Sequence, residues 1–338
     1  MICDRSLPAP DLSMTMQTTN PINASSMPPS APALLQDGYL PVGNGHKVYF
    51  SEHGNASGPA SVVLHGGPGS GCNFSMLDWF DLSRQRVILI DQRGAGKSLP
   101  AGGLNHNTRT ELVFDLEQLR QTLQIARWSV VGGSWGSILG IVYAGSFPQA
   151  VSSLILRGVF LASRREMHWF FQSLAALVPQ AWQQLTAGWT IQQKNNVLQS
   201  LTSLLHNGTL TEMQEAAQRW NDYETAIMQA MTGLVARQRT KEIGKLVGKY
   251  RLQSHYLSQG CFLNARAVFR HARVANTIPA VIVHGTHDWI CPPENVICLQ
   301  RFMPDAAVRW VEKGTHTTSD PAIGMALSSA IRDMLQYS

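Results

Sequence analysis

Six short apolar runs, rich in β-branched residues, each end abruptly at glycine or a polar residue, and they constrain this chain more than any other feature. They lie at 61–64, 87–90, 129–131, 153–156, 280–283 and 308–311. Apolar residues at successive positions suit strands covered on both faces, as in a parallel sheet sandwiched between helices. A two-strand start precedes them, 38–42 and 47–51, joined by a turn at Gly43-Asn44-Gly45.

Helical patterns separate the runs. In 110–125, Leu112, Leu116, Leu119 and Leu123 recur at helical spacing. The alternation predicts an α/β fold with a mostly parallel sheet. From 163 to 272 the strand signals vanish and Gln, Ala, Leu and Trp recur at helical periods, which predicts a helical cap over the C-terminal edge of the sheet. The expected core is therefore 37–162 with 273–338. Residues 1–36 hold six of the 17 prolines and three charges, the composition of a flexible tail. Trp169, Trp182, Trp189 and Trp220 lie in the cap, where packing between helices accounts for them and a ligand cavity is the alternative. Arg237, Lys241, Lys245 and Lys249 recur every four residues and read as a solvated helix face, with an acidic partner as the alternative.

Composition removes several classes of function. Hydrophobic residues make up 44% of the chain and charged residues 14%, enough apolar material for a core. A formal charge of +5 over 338 residues argues for no nucleic-acid partner. The cysteines Cys3, Cys72, Cys261, Cys291 and Cys298 are scattered without a C-x-x-C pair, against a disulfide framework or thiolate zinc site and in keeping with reduced thiols. No stretch reaches the roughly 18 apolar residues of a membrane span, and no signal-peptide core is evident. The expectation is a cytoplasmic protein with no membrane partner, whose N-x-[ST] triplets at Asn23, Asn55, Asn73 and Asn207 carry no glycans. Its oligomeric state is not encoded in any of these features.

The strongest local motif is Gly132-Gly133-Ser134-Trp135-Gly136, directly after the run at 129–131 and before a helical segment at 138–147. A serine on a sharp strand-to-helix turn needs small neighbours, and the turn lifts its hydroxyl to the sheet edge. Serine is a weak nucleophile without a base to take its proton, so a histidine and an orienting carboxylate are required elsewhere. Asp288 follows the run at 280–283 and His316 follows the run at 308–311, each where sheet enzymes place functional side chains. The loop His65-Gly66-Gly67-Pro68-Gly69-Ser70-Gly71 brings backbone close to such a site, and the N–H groups of Gly67 and Trp135 are the expected oxyanion donors.

Three other patterns compete. His284, His287 and Asp288 imitate a metal site but lack a third ligand beyond the catalytic candidate, so no metal is assigned. His65 reads as structural. Gly94-Ala95-Gly96-Lys97-Ser98 imitates the end of a P-loop, but its first glycine would fall at Asp91. Asp91-Gln92-Arg93-Gly94 instead reads as a structural turn, with Asp91 and Arg93 bonding loops around the site.

Together, His65 to Gly69 (HGGPG), Asp91 to Ser98 (DQRGAGKS), Gly132 to Ser137 (GGSWGS), Asp288 and His316 closely resemble the proline iminopeptidase family from about Gly38 to the C-terminus. The resemblance implies an α/β-hydrolase fold with a helical cap, removal of N-terminal proline, no cofactor, and a triad of Ser134, Asp288 and His316. It also places Phe160 and Cys291 on the proline pocket and makes Glu224 the cap carboxylate that holds the substrate's α-amine. Two positions depart from the family pattern. Gln253 stands where a second amine-binding glutamate is usual, and the segment holding Phe170 has phenylalanine where tyrosine is common. The implied substrate is a short peptide or small amide. An esterase, lactonase or amidase of the same fold, acting on an uncharged acyl group, is the alternative that Gln253 favours. A non-catalytic receptor with the same pocket is the alternative from another class.

Overall fold

All six runs and both strands of the two-strand start enter one eight-stranded sheet. The computed structural model describes residues 33–233 and 242–337. The strands are β1 (Leu34–Pro41), β2 (Lys47–Gly54), β3 (Ala60–Leu64), β4 (Arg86–Ile90), β5 (Trp128–Gly133), β6 (Val151–Arg157), β7 (Ala280–Gly285) and β8 (Ala307–Val311). Their order is β1-β2-β4-β3-β5-β6-β7-β8. β2 is antiparallel to both its neighbours, and every pairing from β4 to β8 is parallel. β3 is buried at all five positions, as are the first five residues of β5, because helices cover both faces of the sheet. Each such Val or Leu contributes about 1.5–3 kcal/mol by leaving water.

β1 begins at Leu34 rather than Gly38, which corrects the tail boundary placed at 36. Leu34 pairs with His53 and Gln36 with Glu52, and the Gln36 amide donates to the Glu52 carboxylate at 2.8 Å. Residues 34–36 carry no burial pattern because an edge strand buries little of itself. Residues 1–32, Arg237 and Lys241 lie outside the described residues.

The flanking helices of the core are α1 (Arg109–Thr122), between β4 and β5, and α2 (Trp135–Ser146), between β5 and β6. α1 starts at a capping box in which Thr108 and Glu111 satisfy each other's backbone N–H groups. Among the described residues, the stretch between β6 and β7 holds helices and no strand, in line with its periodicity. It holds α3 (Arg164–Phe171), α4 (Pro179–Leu185), α5 (Ile191–Asn195), α6 (Val197–Asn207), α7 (Leu210–Thr232), α8 (Ile243–Ser258) and α9 (Ala265–Ala275). α10 (Glu294–Gln300) and α11 (Pro321–Met334) follow β7 and β8.

α9 packs on α2, with Val268, Ala272 and Ala275 buried. The backbones come so close that a Cβ on Gly145 would lie 2.6 Å from the Cα of His271. We therefore propose that the cap is 163–264, and that α9 belongs to the core although its composition matches the cap. The cap tryptophans pack as expected. Trp220 is fully buried against Phe171 and Tyr250, Trp169 donates to the carbonyl of Trp289 at 2.6 Å, and Trp182 donates to that of Phe171 at 3.2 Å.

Candidate active site

Ser134 sits between β5 and α2 at φ 55°, ψ −124°, a conformation that costs a non-glycine residue about 1–3 kcal/mol and survives only where its surroundings enforce it. The turn is held by the Ser134 N–H on the carbonyl of Arg157 at 2.9 Å and the Ser137 N–H on the carbonyl of Ser134 at 2.8 Å. The glycine at 136 is dictated by close approach: a Cβ there would lie 2.1 Å from the carbonyl oxygen of Leu64. α2 can thus start hard against β3, and Ser134 is set at the sheet edge where strand order reverses around β3.

Asp288, in the loop after β7, is buried. Its Oδ2 accepts from Nδ1 of His316 at 2.7 Å, and its Oδ1 accepts from the N–H groups of Ile290 and Cys291 at 3.0 and 2.9 Å. Burial pushes this carboxyl up, but the His316 charge and hydrogen bond, with His284 and the Cys291 N–H, together hold it below the usual carboxylate range. Arg157, at the end of β6, donates to the carbonyl of His316 and pins the loop that carries it.

Ser134 and His316 line one cavity of about 270 Å³, together with Gly67, Phe160, Phe170, Glu224, Gln253 and Cys291. Every pocket residue expected from the sequence is therefore brought to one place. Asp288 lies outside the lining, and so does Trp135. Trp135 is the first residue of α2, so its N–H has no acceptor within the helix, and its buried indole donates to Oε1 of Gln92 at 2.7 Å. Gly67, at φ 115°, adopts a backbone conformation closed to side chains, and a Cβ there would lie 2.8 Å from the N of Gly69. Cys291 is a wall of the pocket. Burial, with Asp288 adding to it, pushes its thiol well above the ordinary value.

The competing motifs resolve as structural. The Gln92 N–H donates to Nε2 of His65 at 3.1 Å, which leaves Nδ1 to donate to the carbonyl of Gly66 at 2.9 Å. Both nitrogens of His284 are likewise occupied, by the Val159 N–H at 3.1 Å and the Cys291 carbonyl at 3.0 Å, so it has no lone pair for a metal. Asp91 accepts from the N–H groups of Cys72 and Lys97, at 2.7 and 2.8 Å, and Arg93 forms a buried two-pronged pair with Asp115 at 2.6 and 2.8 Å. The apparent P-loop is a turn tied to the core.

α7 and α8 build the far end of the cavity. α8 is anchored to the core by Nε2 of His255 on the carbonyl of Asn107 at 2.9 Å and the Tyr256 hydroxyl on Oδ1 of Asn107 at 2.6 Å. Lys249 and Gln253, one turn apart, face inward from it. Lys249 corrects the solvated-stripe expectation. Lys245 is exposed beside Glu242, but Nζ of Lys249 lies 2.9 Å from Oε2 of Glu224. Oε2 of Glu224 also accepts from the Tyr250 hydroxyl at 2.8 Å, and its Oε1 accepts from Nε2 of Gln253 at 2.6 Å. Burial pushes the Glu224 carboxyl up, and Lys249 with the two hydrogen bonds brings it below its usual range. The signal that could have exposed Lys249 is its spacing of four from Gln253, which puts both on one helix face.

Comparison with known proteins bears on the fold and the family. The profile of the alpha/beta hydrolase fold family matches residues 59–320. The proline iminopeptidase of Xylella fastidiosa (strain Temecula1) is 35% identical over 288 residues, 84% of this chain and 91% of the relative. The chain belongs to the proline iminopeptidase family. The proline iminopeptidase of Neisseria meningitidis serogroup A is 32% identical over 306 residues, 90% of this chain and 97% of that one. Among solved structures, the proline iminopeptidase-related protein of Thermus thermophilus superposes with a TM-score of 0.56 at 21% identity, covering 90% of this chain and 99% of that one. The bromoperoxidase of Bacillus anthracis gives 0.55 at 16%, covering 89% and 100%. These two likenesses show the α/β-hydrolase fold alone. No helix among the described residues is long and apolar enough to cross a membrane.

Proposed function

We propose that this protein is a cytoplasmic serine hydrolase that releases an N-terminal residue, proline foremost, from short peptides or small amides. The observation that carries the proposal is the 2.7 Å bond that the buried Asp288 makes to His316, which lines the same cavity as Ser134. The Ser134 oxygen attacks the scissile carbonyl while Nε2 of His316 takes the hydroxyl proton. Asp288 holds the proton on Nδ1, keeping Nε2 the base. The N–H groups of Gly67 and Trp135 hold the developing oxyanion, and the proton on Nε2 passes to the departing amine. Water, deprotonated by the same imidazole, then releases the acyl group. Phe160 and Phe170 supply the apolar walls suited to a proline ring. The cap closes over the cavity, which suits peptides and excludes folded proteins.

The test is a panel of prolyl and alanyl anilides set against short-chain esters. Turnover of prolyl anilide well above the alanyl compound supports the proposal, and turnover of esters alone contradicts it. The second reading, hydrolysis of an uncharged acyl substrate, is favoured by one observation: Glu224 is already neutralised by Lys249.

A further inference from the structure

The polar end of the cavity has satisfied its own charge. Glu224 is the carboxylate suited to a substrate ammonium, yet its Oε2 carries the Lys249 ammonium and the Tyr250 hydroxyl, and its Oε1 carries the Gln253 amide. Glu224, Lys249 and Gln253 together are electrically neutral. A second cation arriving there meets Lys249 first, and burying it without a carboxylate of its own is costly.

The leftover hydrogen-bonding capacity is equally specific. A carboxylate offers only acceptors, so the Gln253 amide must turn its NH₂ toward Glu224, which fixes Oε1 on the other side. That Oε1 is buried and has no partner among the described residues, while Gln253 itself is 6% exposed and lines the cavity. Lys249 has three N–H donors, of which Glu224 takes one and the Tyr250 oxygen, at 3.1 Å, a second. One N–H remains without an acceptor among the described residues. The pocket head thus presents one acceptor and one donor, four residues apart on the inner face of α8. A buried acceptor left unpaired, as Oε1 of Gln253 is, calls for a ligand or water to complete it, and the part-buried Lys249 offers its spare donor beside it.

We propose that Lys249 is a specificity-determining residue that fills the ammonium subsite, giving the enzyme a further activity on proline-sized acyl residues whose ring nitrogen is a neutral N–H. A five-membered lactam, the 5-oxoprolyl group, has this chemistry. Its N–H faces Oε1 of Gln253 and its ring carbonyl takes the remaining N–H of Lys249, with no charge to bury. A protonated prolyl group must instead displace Lys249 from Glu224. The inference rests on the peptidase reading of the Ser134 cavity.

The experiment compares kcat/KM for prolyl anilide, 5-oxoprolyl anilide and 4-nitrophenyl acetate in the wild type, Lys249→Met and Lys249→Arg. The wild type turns over both anilides. Lys249→Met frees Glu224, so that, normalised to each variant's own ester turnover, the prolyl compound gains roughly tenfold and the 5-oxoprolyl compound loses roughly tenfold. Lys249→Arg keeps the cation and the wild-type ratio. Lys249→Gln, neutral but still a donor to Glu224, gives the same direction of change should the methionine variant fail to fold. No turnover of 5-oxoprolyl anilide by the wild type, or a prolyl to 5-oxoprolyl ratio unchanged by loss of the Lys249 charge, overturns the role of Lys249 alone. Ester turnover with neither anilide cleaved overturns the peptidase reading together with it.

Discussion

Nδ1 of His316 lies 2.7 Å from Oδ2 of Asp288, and both oxygens of that buried carboxylate are used, one by the imidazole and the other by two backbone N–H groups. The carboxylate therefore cannot turn away, and it fixes which imidazole nitrogen bears the proton. Asp288→Asn keeps the shape but presents an amide that can hold the imidazole in the opposite tautomer. The expected loss in kcat is about 10³–10⁴-fold with the fold intact, read from anilide turnover and circular dichroism. A near-normal rate would assign the orienting role to another residue.

The pocket head makes a separate prediction at Gln253. Gln253→Glu adds a carboxylate beside Glu224 while Lys249 can neutralise only one, so a negative charge is left for a substrate ammonium. Prolyl anilide is expected to gain roughly tenfold in kcat/KM, about 1.4 kcal/mol, with short-chain esters little changed. Parallel changes in both substrates would mean that Gln253 does not face the amine.

Strands β3 and β7 were legible because they are buried on both faces: the runs 61–64 and 280–283 are apolar at nearly every step, whereas 308–311 is apolar at three of four steps although no residue of β8 is buried. The candidate triad stood out because Ser134, Asp288 and His316 each follow a strand run, in the turn after β5 and the loops after β7 and β8. β1 was cut short because an edge strand with exposed Leu34 and Leu35 has no burial pattern to betray it. Lys249 was misplaced for a different reason. Its charge and its spacing from Lys245 suggest a solvated stripe, and only the fold brings Glu224, 25 residues earlier on α7, against it.

The Glu224–Lys249 pair links stability to pH. Because the folded-state pKa of Glu224 is depressed, its contribution is fully present above the unfolded value of about 4.3 and is lost as pH falls through the folded one. Lys249→Met removes the cation that lowers it. The variant is expected to be less stable than the wild type at pH 7, with the gap in denaturation midpoint narrowing as pH is lowered through 4. A gap independent of pH would show that the lysine acts through packing alone.

Arg93 and Asp115 form a buried pair whose removal has a different signature. Arg93→Ala strips the counter-charge from Asp115 and leaves the carbonyls of Val42 and His106 without their donor. The expected destabilisation is about 3–5 kcal/mol, measured by denaturant unfolding. A change below about 1 kcal/mol would mean that water replaces the guanidinium.

The nucleophile is tested most directly by labelling with an active-site phosphonate followed by peptide mapping, alongside the rate of Ser134→Ala. Ser134 holds a strained turn and lines the same cavity as His316 and Gly67. The label is therefore expected on Ser134 alone, and the alanine variant is expected to lose at least about 10³-fold in kcat while remaining folded. Modification of any other serine, or an alanine variant that retains turnover, would contradict the assignment.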